Sequence, residues 1–161
     1  LFGLWTAARQ PEGSTESQLA WRRMQGLTIV ARNYLPQARV LSRTFLAQHP
    51  TAKFWTLVID GVDEDRAEPG AGNILLIDDL DLPRSEWRPM AAMYDVMELA
   101  TALKPAALRH LLRHHNPDAG AVAYIDPDIH VMTPFVEVFD DAIRIERLGA
   151  RWIAVPELGS P

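Results

Sequence analysis

The sequence predicts an α/β domain built around a mostly parallel sheet, and three observations support that prediction. Short apolar runs alternate with segments whose apolar residues recur at helical spacing, which is typical of α/β proteins. The strand-like runs are apolar along their length, as expected of strands covered on both faces. The first two runs flank one helical segment within residues 27–59, which indicates a βαβ unit with parallel strands.

The predicted βαβ unit opens the folded part of the chain. Residues 27–31 form its first strand, and residues 54–59 form its second strand, which ends at Asp60. Residues 36–48 between them are predicted as an amphipathic helix, because their apolar residues follow helical spacing and Pro36 suits a first helical turn.

The alternation of strands and helices continues through the rest of the chain. We expect a third, short or edge strand at residues 73–77, a turn region at 83–89, helices at 90–101 and 104–115, a strand at 121–125, a short helix at 133–141 and a last strand at 152–155. Proline is favoured in the first turn of a helix, so we place Lys104 and Pro105 at a helix start.

Two regions differ in composition. Residues 1–26 include the polar, turn-rich run 11–17 and are predicted to be a poorly ordered extension or linker. Residues 27–161 are predicted to form one domain with a sizeable core. The chain starts at Leu1 and stops at Pro161 just after a strand-like run, so we expect it to be part of a longer protein.

Composition and charge narrow the possible functions. Apolar residues make up 48% and charged residues 23%, which is typical of a globular domain. The formal net charge of −5 disfavours a main role in binding nucleic acid or an anionic membrane. The absence of cysteine excludes disulfides and thiolate chemistry. No apolar run approaches the roughly 18 residues of a membrane span and no signal-peptide core is recognisable, so the predicted location is the cytoplasm.

The chemistry of the sequence concentrates at Asp126 and Asp128, which flank Pro127 after the apolar run 121–125. In open α/β sheets, ligands collect outside the carboxyl ends of the strands. Two carboxylates there could hold a divalent cation through hard oxygen ligands, and the proline restricts the backbone between them. A metal held in this way could bridge a diphosphate. The alternative is a solvated turn after a strand, where aspartate and proline are common.

Four other residues are candidates for the same edge of the sheet. Asn33 and Tyr34 follow the first strand, and an aromatic ring there could stack on a nucleobase. Asp60 ends the second strand and could accept hydrogen bonds from a base or ribose. Lys104, at a predicted helix start, could form an anion site with the free backbone N–H groups. Each has a simpler alternative, as a cover for the helix start, a turn residue or a surface lysine.

Two further patterns are assigned no such role. His114 and His115 are not accompanied by a nearby set of acidic or cysteine residues in the sequence, so we interpret them as a helix C-terminus and not as a metal site. Asp78 and Asp79 resemble the acidic opening of a response-regulator receiver domain, but they follow a complete βαβ unit instead of opening the domain.

Taken in order, these motifs resemble the nucleotide-sugar-dependent glycosyltransferases of the GT-A fold, especially the glycogenin and bacterial galactosyltransferase-like group. The resemblance spans residues 27–139. It rests on the run 33–42 after the first strand, the His49-Pro50 pair that ends the helix, the second strand ending near Asp60, the segment 94–105, and the strand and aspartates at 122–129. The resemblance implies a Rossmann-like GT-A sandwich that is truncated at its C-terminus.

The resemblance implies a metal-dependent glycosyltransferase. Asp126 and Asp128 match the family's DxD motif, which binds Mn²⁺ or Mg²⁺ and, through the metal, the diphosphate of a nucleotide-sugar donor. The metal would offset charge on the leaving diphosphate while the sugar passes to an acceptor. The family's third metal ligand, a histidine, and most of its acceptor pocket come from a C-terminal half, which we expect beyond Pro161.

The nucleotide-binding residues follow from the same resemblance. Tyr34 matches an aromatic residue that stacks on the base, and Asn33 lies beside it. Lys104 falls where members carry a basic residue near the sugar or phosphates, and Asp60 lies near the nucleotide pocket. A UDP-sugar is the favoured donor, although Arg32 stands where many members carry an acidic residue that reads the uracil edge.

Two other functions stay open on the sequence. A phosphohydrolase of the haloacid-dehalogenase type also places Asp-x-Asp at the end of a strand, with Asp126 as the nucleophile and Asp128 as the general acid. That motif normally opens its domain, whereas here a long α/β pattern precedes it. The other possibility is a non-catalytic nucleotide-binding remnant of a glycosyltransferase.

Overall fold

A computed structural model of the protein describes residues 24–115 and 122–134. Its strands are β1 (Gln25–Val30), β2 (Lys53–Val58), β3 (Asn73–Leu76) and β4 (Val122–Tyr124), and its helices are α1 (Leu35–Gln48), α2 (Arg84–Met93) and α3 (Val96–His114). Three short 3-10 turns are present at Arg32–Tyr34, Asp63–Ala67 and Ile77–Asp79. The predicted α/β class is confirmed.

The four strands form one all-parallel sheet in the order β3-β2-β1-β4. β1 and β2 pair along their whole length, ending with Val30 opposite Val58. β4 pairs only with the first half of β1, and its last residue, Tyr124, lies opposite Leu27. The turn after β4 therefore lies beside the second half of β1, where the neighbouring strand still continues.

Apolar side chains cover both faces of the sheet, which explains why the strand sequences do not alternate with polar residues. On one face, α3 packs through buried residues spaced four apart, namely Leu99, Leu103, Ala107 and Leu111. On the other face, α1 packs Leu41 and Phe45 against Phe54 of β2. Two helical layers therefore enclose the sheet and hold its carboxyl edge in place.

β1 begins two residues earlier than predicted. Met24, just before the strand, is fully buried in the cluster that contains Leu41 and Phe45. Gly26 allows the close packing of this region, because a Cβ atom at residue 26 would lie 2.6 Å from Cδ2 of Phe54. The core thus begins inside the segment predicted to be an extension, and residues 1–23 of that segment lie outside the described residues.

The structure corrects two helix predictions. Residues 84–89, predicted as part of a turn region, belong to α2, and Pro89 lies inside that helix. Lys104 and Pro105, predicted to start a helix, lie in the interior of α3. A proline inside a helix removes one backbone hydrogen bond. Burial of the apolar stripe of α3 against the sheet outweighs that loss, so the helix continues through Pro105.

α3 begins instead at a capping box. Oδ1 of Asp95 accepts a hydrogen bond from the backbone N–H of Glu98 at 2.8 Å. Oε2 of Glu98 accepts one from the backbone N–H of Asp95 at 3.1 Å. The pair satisfies two donors at the helix start, and its Asp-x-x-Glu pattern was present in the sequence.

β4 is shorter and less buried than predicted. Its three residues are half-buried, and it occupies one edge of the sheet in the described part of the chain. β3 lies at the opposite edge, as predicted for a short third strand. The predicted helix from residue 135 onward and the predicted strand at 152–155 lie outside the described residues. Within the described ranges, none of the helices combines the length and the hydropathy needed to cross a bilayer.

Candidate functional site

The residues predicted for a site follow the carboxyl ends of three neighbouring strands. Asn33 and Tyr34 form the 3-10 turn after β1, and Asp60 lies in the turn after β2. Asp126 and Asp128 lie in the turn after β4. Because the strands are parallel, all three connections leave their strands in the same direction, which is the side on which α/β proteins commonly bind ligands. The connections after β1 and β2 lie at the carboxyl edge, whereas β4 ends opposite Leu27, so the turn after it lies beside β1 and short of that edge.

The connections after β1 and β2 are joined by hydrogen bonds. Oδ1 of Asp60 accepts a hydrogen bond from the backbone N–H of Arg32 at 2.7 Å. The backbone N–H of Ile59 donates to the carbonyl of Val30 at 2.9 Å, which extends the ladder past the strand ends. Asp60 therefore holds the start of the turn that presents Tyr34, whose side chain is 46% exposed.

The guanidinium group of Arg32 pairs with an aspartate in the connection after β2. Its Nε atom lies 2.9 Å from Oδ2 of the buried Asp65. The same carboxylate accepts a hydrogen bond from the backbone N–H of Val62 at 2.8 Å. This pairing explains why a basic residue suits the position before Asn33: it ties together two loops at the carboxyl edge.

Asp126 forms a second group with Lys104 of α3 and Tyr124 of β4. Its Oδ1 atom lies 3.8 Å from Nζ of Lys104, and its side chain is 63% exposed. Nζ of Lys104 also lies 4.0 Å from the ring centroid of Tyr124, a distance suited to a cation–π interaction. The turn itself is closed by a hydrogen bond from the N–H of Ile129 to the carbonyl of Asp126 at 3.2 Å.

The phenol of Tyr124 lies close to the carboxylate of Asp126. Burial raises the pKa of its phenol above the usual value, and the side-chain hydrogen bond to Asp126 and the charges of Asp126 and Asp128 raise it further. The hydroxyl group therefore stays protonated at neutral pH beside the carboxylate of Asp126.

Lys104 reaches this group by a different route from the one predicted. The prediction of a helix N-terminus at Lys104 is wrong, because α3 starts at Val96 and Lys104 lies inside it. The free N–H groups of a helix start are therefore not part of the site. Lys104 contributes a single positive charge from the middle of a packed helix, which fixes its position relative to β4.

The turn after β4 presents side chains of the type that bind hard divalent cations. Asp126 and Asp128 are both exposed, and two carboxylates one residue apart offer oxygen ligands of the type that Mg²⁺ and Mn²⁺ prefer. The remaining positions around such a metal are available to water or to a diphosphate. The ammonium group of Lys104, 3.8 Å from Oδ1 of Asp126, places a positive charge beside these two carboxylates.

A shallow depression lies toward the start of α3, on the same helix as Lys104. Its lining residues are Tyr94, Met97, Glu98, Thr101 and Ala102. Met97 is 79% exposed, and Val96 beside it is also exposed. This part of the carboxyl edge is consequently more apolar than the aspartate turn.

A second set of possible ligands was missed by the sequence analysis. Asp81, His110 and His114 bring one ligand atom each to within 4.8 Å of one another. His114 was interpreted as a helix terminus because no acidic set lies next to it in the sequence, but Asp81 arrives from a distant segment. The one usable sequence signal was the i, i+4 spacing of the two histidines.

Comparisons of this chain with protein-family models, with curated proteins and with solved structures find no match.

Proposed function

We propose that this protein is a metal-dependent glycosyltransferase with a GT-A fold, which transfers a sugar from a nucleotide-diphosphate donor to an acceptor. The observation that carries the proposal is the exposed Asp126-Pro127-Asp128 turn at the carboxyl edge of a parallel sheet, with Lys104 Nζ 3.8 Å from Asp126 Oδ1. Three of the motifs that resemble this family follow the carboxyl ends of β1, β2 and β4.

Each residue at this edge has a distinct part in the proposed activity. Asp126 and Asp128 would hold Mn²⁺ or Mg²⁺, which when bound neutralises charge on a leaving diphosphate. Lys104 would contact a phosphate oxygen, since its ammonium group is fixed beside the same turn. Tyr34 would stack on the base, with a UDP-sugar as the favoured donor. Asp60 would act through the backbone of Arg32 by positioning the turn that carries Tyr34.

The role of Lys104 also explains how an acidic chain could bind a diphosphate. The protein carries a formal net charge of −5, so a phosphate ligand needs local positive charge. A metal on two carboxylates and one ammonium group would together provide it. Both sources lie on the same side of the sheet edge, because Lys104 packs on Tyr124 two residues before Asp126.

A phosphohydrolase that uses Asp126 as its nucleophile is the second candidate. The observation that favours it is the same ion pair, because an ammonium group beside the proposed nucleophile attracts a phosphate ester. In this activity a carboxylate oxygen of Asp126 would form a bond to phosphorus while the bond from phosphorus to the alcohol oxygen breaks, and Asp128 would protonate that oxygen. Water would then cleave the aspartyl phosphate to release inorganic phosphate and restore Asp126.

Calorimetric titration of the full chain with UDP and with GDP, each with and without Mn²⁺, tests the proposal. We expect metal-dependent binding of a nucleotide diphosphate by the unaltered protein. The Asp126→Ala/Asp128→Ala variant should bind at least about tenfold more weakly, because both metal ligands are lost. Asp63→Ala is a matched control, since its side chain is 87% exposed and lies in the connection after β2.

Two results would count against the glycosyltransferase. One is the absence of metal-dependent binding of either nucleotide, and the other is equal binding by the unaltered protein and the double variant. A phosphatase assay with p-nitrophenyl phosphate separates the second candidate. Activity that is abolished by Asp126→Asn would support the phosphohydrolase.

A further inference from the structure

Two histidines and one aspartate meet at the C-terminal end of α3. His110 and His114 are four residues apart on the helix and therefore share one face. Asp81 comes from the segment that follows β3. Its Oδ2 atom lies 2.8 Å from Nε2 of His114, and its Oδ1 atom lies 4.0 Å from Nδ1 of His110. The two helix residues and the aspartate thus surround one small volume.

The fold holds both sides of this cluster. The carbonyl of His115 accepts a hydrogen bond from Nε2 of Gln25 at 2.6 Å, which ties the end of α3 to the start of β1. The ring of His115 also contacts Trp55, with 4.2 Å between the centroids. On the other side, Nη2 of Arg109 donates to the carbonyl of Asp81 at 3.1 Å. These contacts hold the end of α3 and the segment that carries Asp81 in place on both sides of the cluster.

His110 provides an independent reason to expect a ligand. The residue is 8% exposed, and its Nδ1 atom is buried without a hydrogen-bond partner among the described residues. A buried polar atom without a partner is costly, and most such atoms in folded proteins have one. This nitrogen faces the carboxylate of Asp81 at a distance too long for a hydrogen bond and suited to an intervening ion.

We propose that Asp81, His110 and His114 bind a divalent transition metal of the Zn²⁺ class. Two imidazoles and a carboxylate are ligands that Zn²⁺ favours, whereas Mg²⁺ and Ca²⁺ favour oxygen ligands alone. Ligand atoms about 2.0–2.1 Å from a tetrahedral Zn²⁺ lie about 3.3 Å apart. The ligand atoms here lie within 4.8 Å of one another, with the Asp81–His114 pair at 2.8 Å and the Asp81–His110 pair at 4.0 Å on either side of that spacing.

The position on the helix favours a cation as well. The carbonyl groups at the end of α3 carry partial negative charge, which stabilises positive charge in the last turn. Three protein ligands leave one position of a tetrahedral metal open. Water can reach that position, because Asp81 and His114 are partly exposed. The bound metal clamps the segment after β3 to the end of α3.

This site is separate from the aspartate turn and does not rest on the proposed function. The end of α3 lies at the amino edge of the sheet, where it contacts the first residue of β1. Asp126 and Asp128 follow the carboxyl end of β4. The two places differ in ligand type too, so Zn²⁺ and Mn²⁺ can be used to tell them apart.

Titration of the full chain with zinc chloride, after removal of metal by a chelator, tests the proposal. We expect one Zn²⁺ per chain, with an increase in the thermal unfolding temperature, because an ion that binds only the folded state stabilises it. His114→Ala should weaken binding at least about tenfold, and Asp81→Asn, which keeps the side-chain shape, should do the same. His130→Ala is the matched histidine control and should leave the affinity unchanged.

Three results would overturn the proposal. The first is the absence of Zn²⁺ binding by the unaltered protein at millimolar metal. The second is unchanged affinity in both His114→Ala and Asp81→Asn, with circular dichroism showing that both variants are folded. The third is equal loss in His130→Ala, which would place the ion at the turn after β4. Because the probe is Zn²⁺ alone, none of these outcomes depends on nucleotide binding.

Discussion

The two candidate sites lie beside the middle of α3 and at its C-terminal end, and they differ in how they are built. The aspartate turn contributes two carboxylates from adjacent positions in the chain, with Lys104 beside them. The histidine cluster joins two residues of one helix to Asp81, which comes from a segment about 30 residues earlier. One site is contiguous in the sequence and the other exists only because the chain folds.

The difference in ligand type predicts a difference in function. Exposed carboxylates next to an ammonium group suit a metal that enters together with an anionic substrate and leaves with its product. A buried imidazole with a second imidazole and a carboxylate suits a metal that stays bound. α3 takes part in both, because it carries Lys104, His110 and His114. The packing of this helix is therefore the feature that the two sites share.

The largest effect should come from loosening α3. Leu103 is fully buried in the cluster that joins this helix to β1 and β2. Leu103→Ala should lower the free energy of unfolding by about 2–5 kcal/mol, because it removes buried methyl groups and leaves a cavity. Urea unfolding measures this change. Leu112→Ala on the same helix is the control, since Leu112 is 47% exposed and should cost far less. Equal losses in the two variants would contradict the packing of α3.

The next effect separates the two sites. Asp126→Ala/Asp128→Ala should reduce metal-dependent nucleotide binding at least about tenfold and leave Zn²⁺ affinity unchanged. His114→Ala should do the reverse. The reason is that the ligand sets share no residue and lie at different edges of the sheet. Titration of both variants with Zn²⁺, and with nucleotide in the presence of Mn²⁺, measures the two affinities. Loss of both affinities in either variant would show that the sites are coupled.

A smaller effect tests the role of Lys104: the affinities for a nucleotide diphosphate and for Mn²⁺ alone should change in opposite directions. Lys104→Met keeps most of the side-chain length and removes the charge that lies 3.8 Å from Asp126. Nucleotide diphosphate binding should weaken by about tenfold, because a charge-assisted hydrogen bond is lost. Affinity for Mn²⁺ alone should rise by no more than about fivefold, because an exposed ion pair competes only weakly with the metal.

The control for that experiment is Lys53→Met, which changes an exposed lysine at the first residue of β2, far from the carboxyl edge. It should affect neither titration. If Lys104→Met weakened both ligands together, Lys104 would support the shape of the turn and not the charge of a bound phosphate.

The smallest effect concerns a histidine outside both sites. Burial lowers the pKa of His49 below its usual value of about 6.5, and its ring contacts Phe45. The neutral ring therefore contributes stability that is present above the unfolded pKa and is lost as the pH falls through the folded pKa. We expect the urea concentration at the unfolding midpoint to decrease as the pH is lowered from 8 to 5. The decrease should be smaller in His49→Gln. An unchanged pH dependence in that variant would assign the effect to other groups.

Much of the fold was predictable because its signals are local. The apolar runs that became β1, β2 and β3 are uniform because both faces are covered, and the helical spacing of α1 is clear in the sequence. The boundaries were less accurate. β1 starts at Gln25 because Met24 and Gly26 are buried against α1 and β2, and burial by distant residues leaves little trace in the local pattern.

The candidate site was predictable in part for the same reason. Asp126, Asp128, Asn33, Tyr34 and Asp60 each follow a strand, so their place at one edge follows from the order of the elements. Lys104 was predicted as a residue of the site, and it lies beside Asp126. The prediction assumed a helix start at Lys104, which is wrong. Proline at residue 105 favoured a helix start, whereas the buried stripe of α3 carries the helix through it.

The α/β class, the parallel sheet and the aspartate turn could be predicted from the sequence, because periodicity and adjacency are properties of short stretches of chain. Three features appear only in the folded chain: α3 continues through Pro105, Lys104 lies beside Asp126, and Asp81 meets His110 and His114. These features depend on contacts between residues that are far apart in the chain. Their energies come from burial and packing, which are defined only once the sheet and its two helical layers have formed.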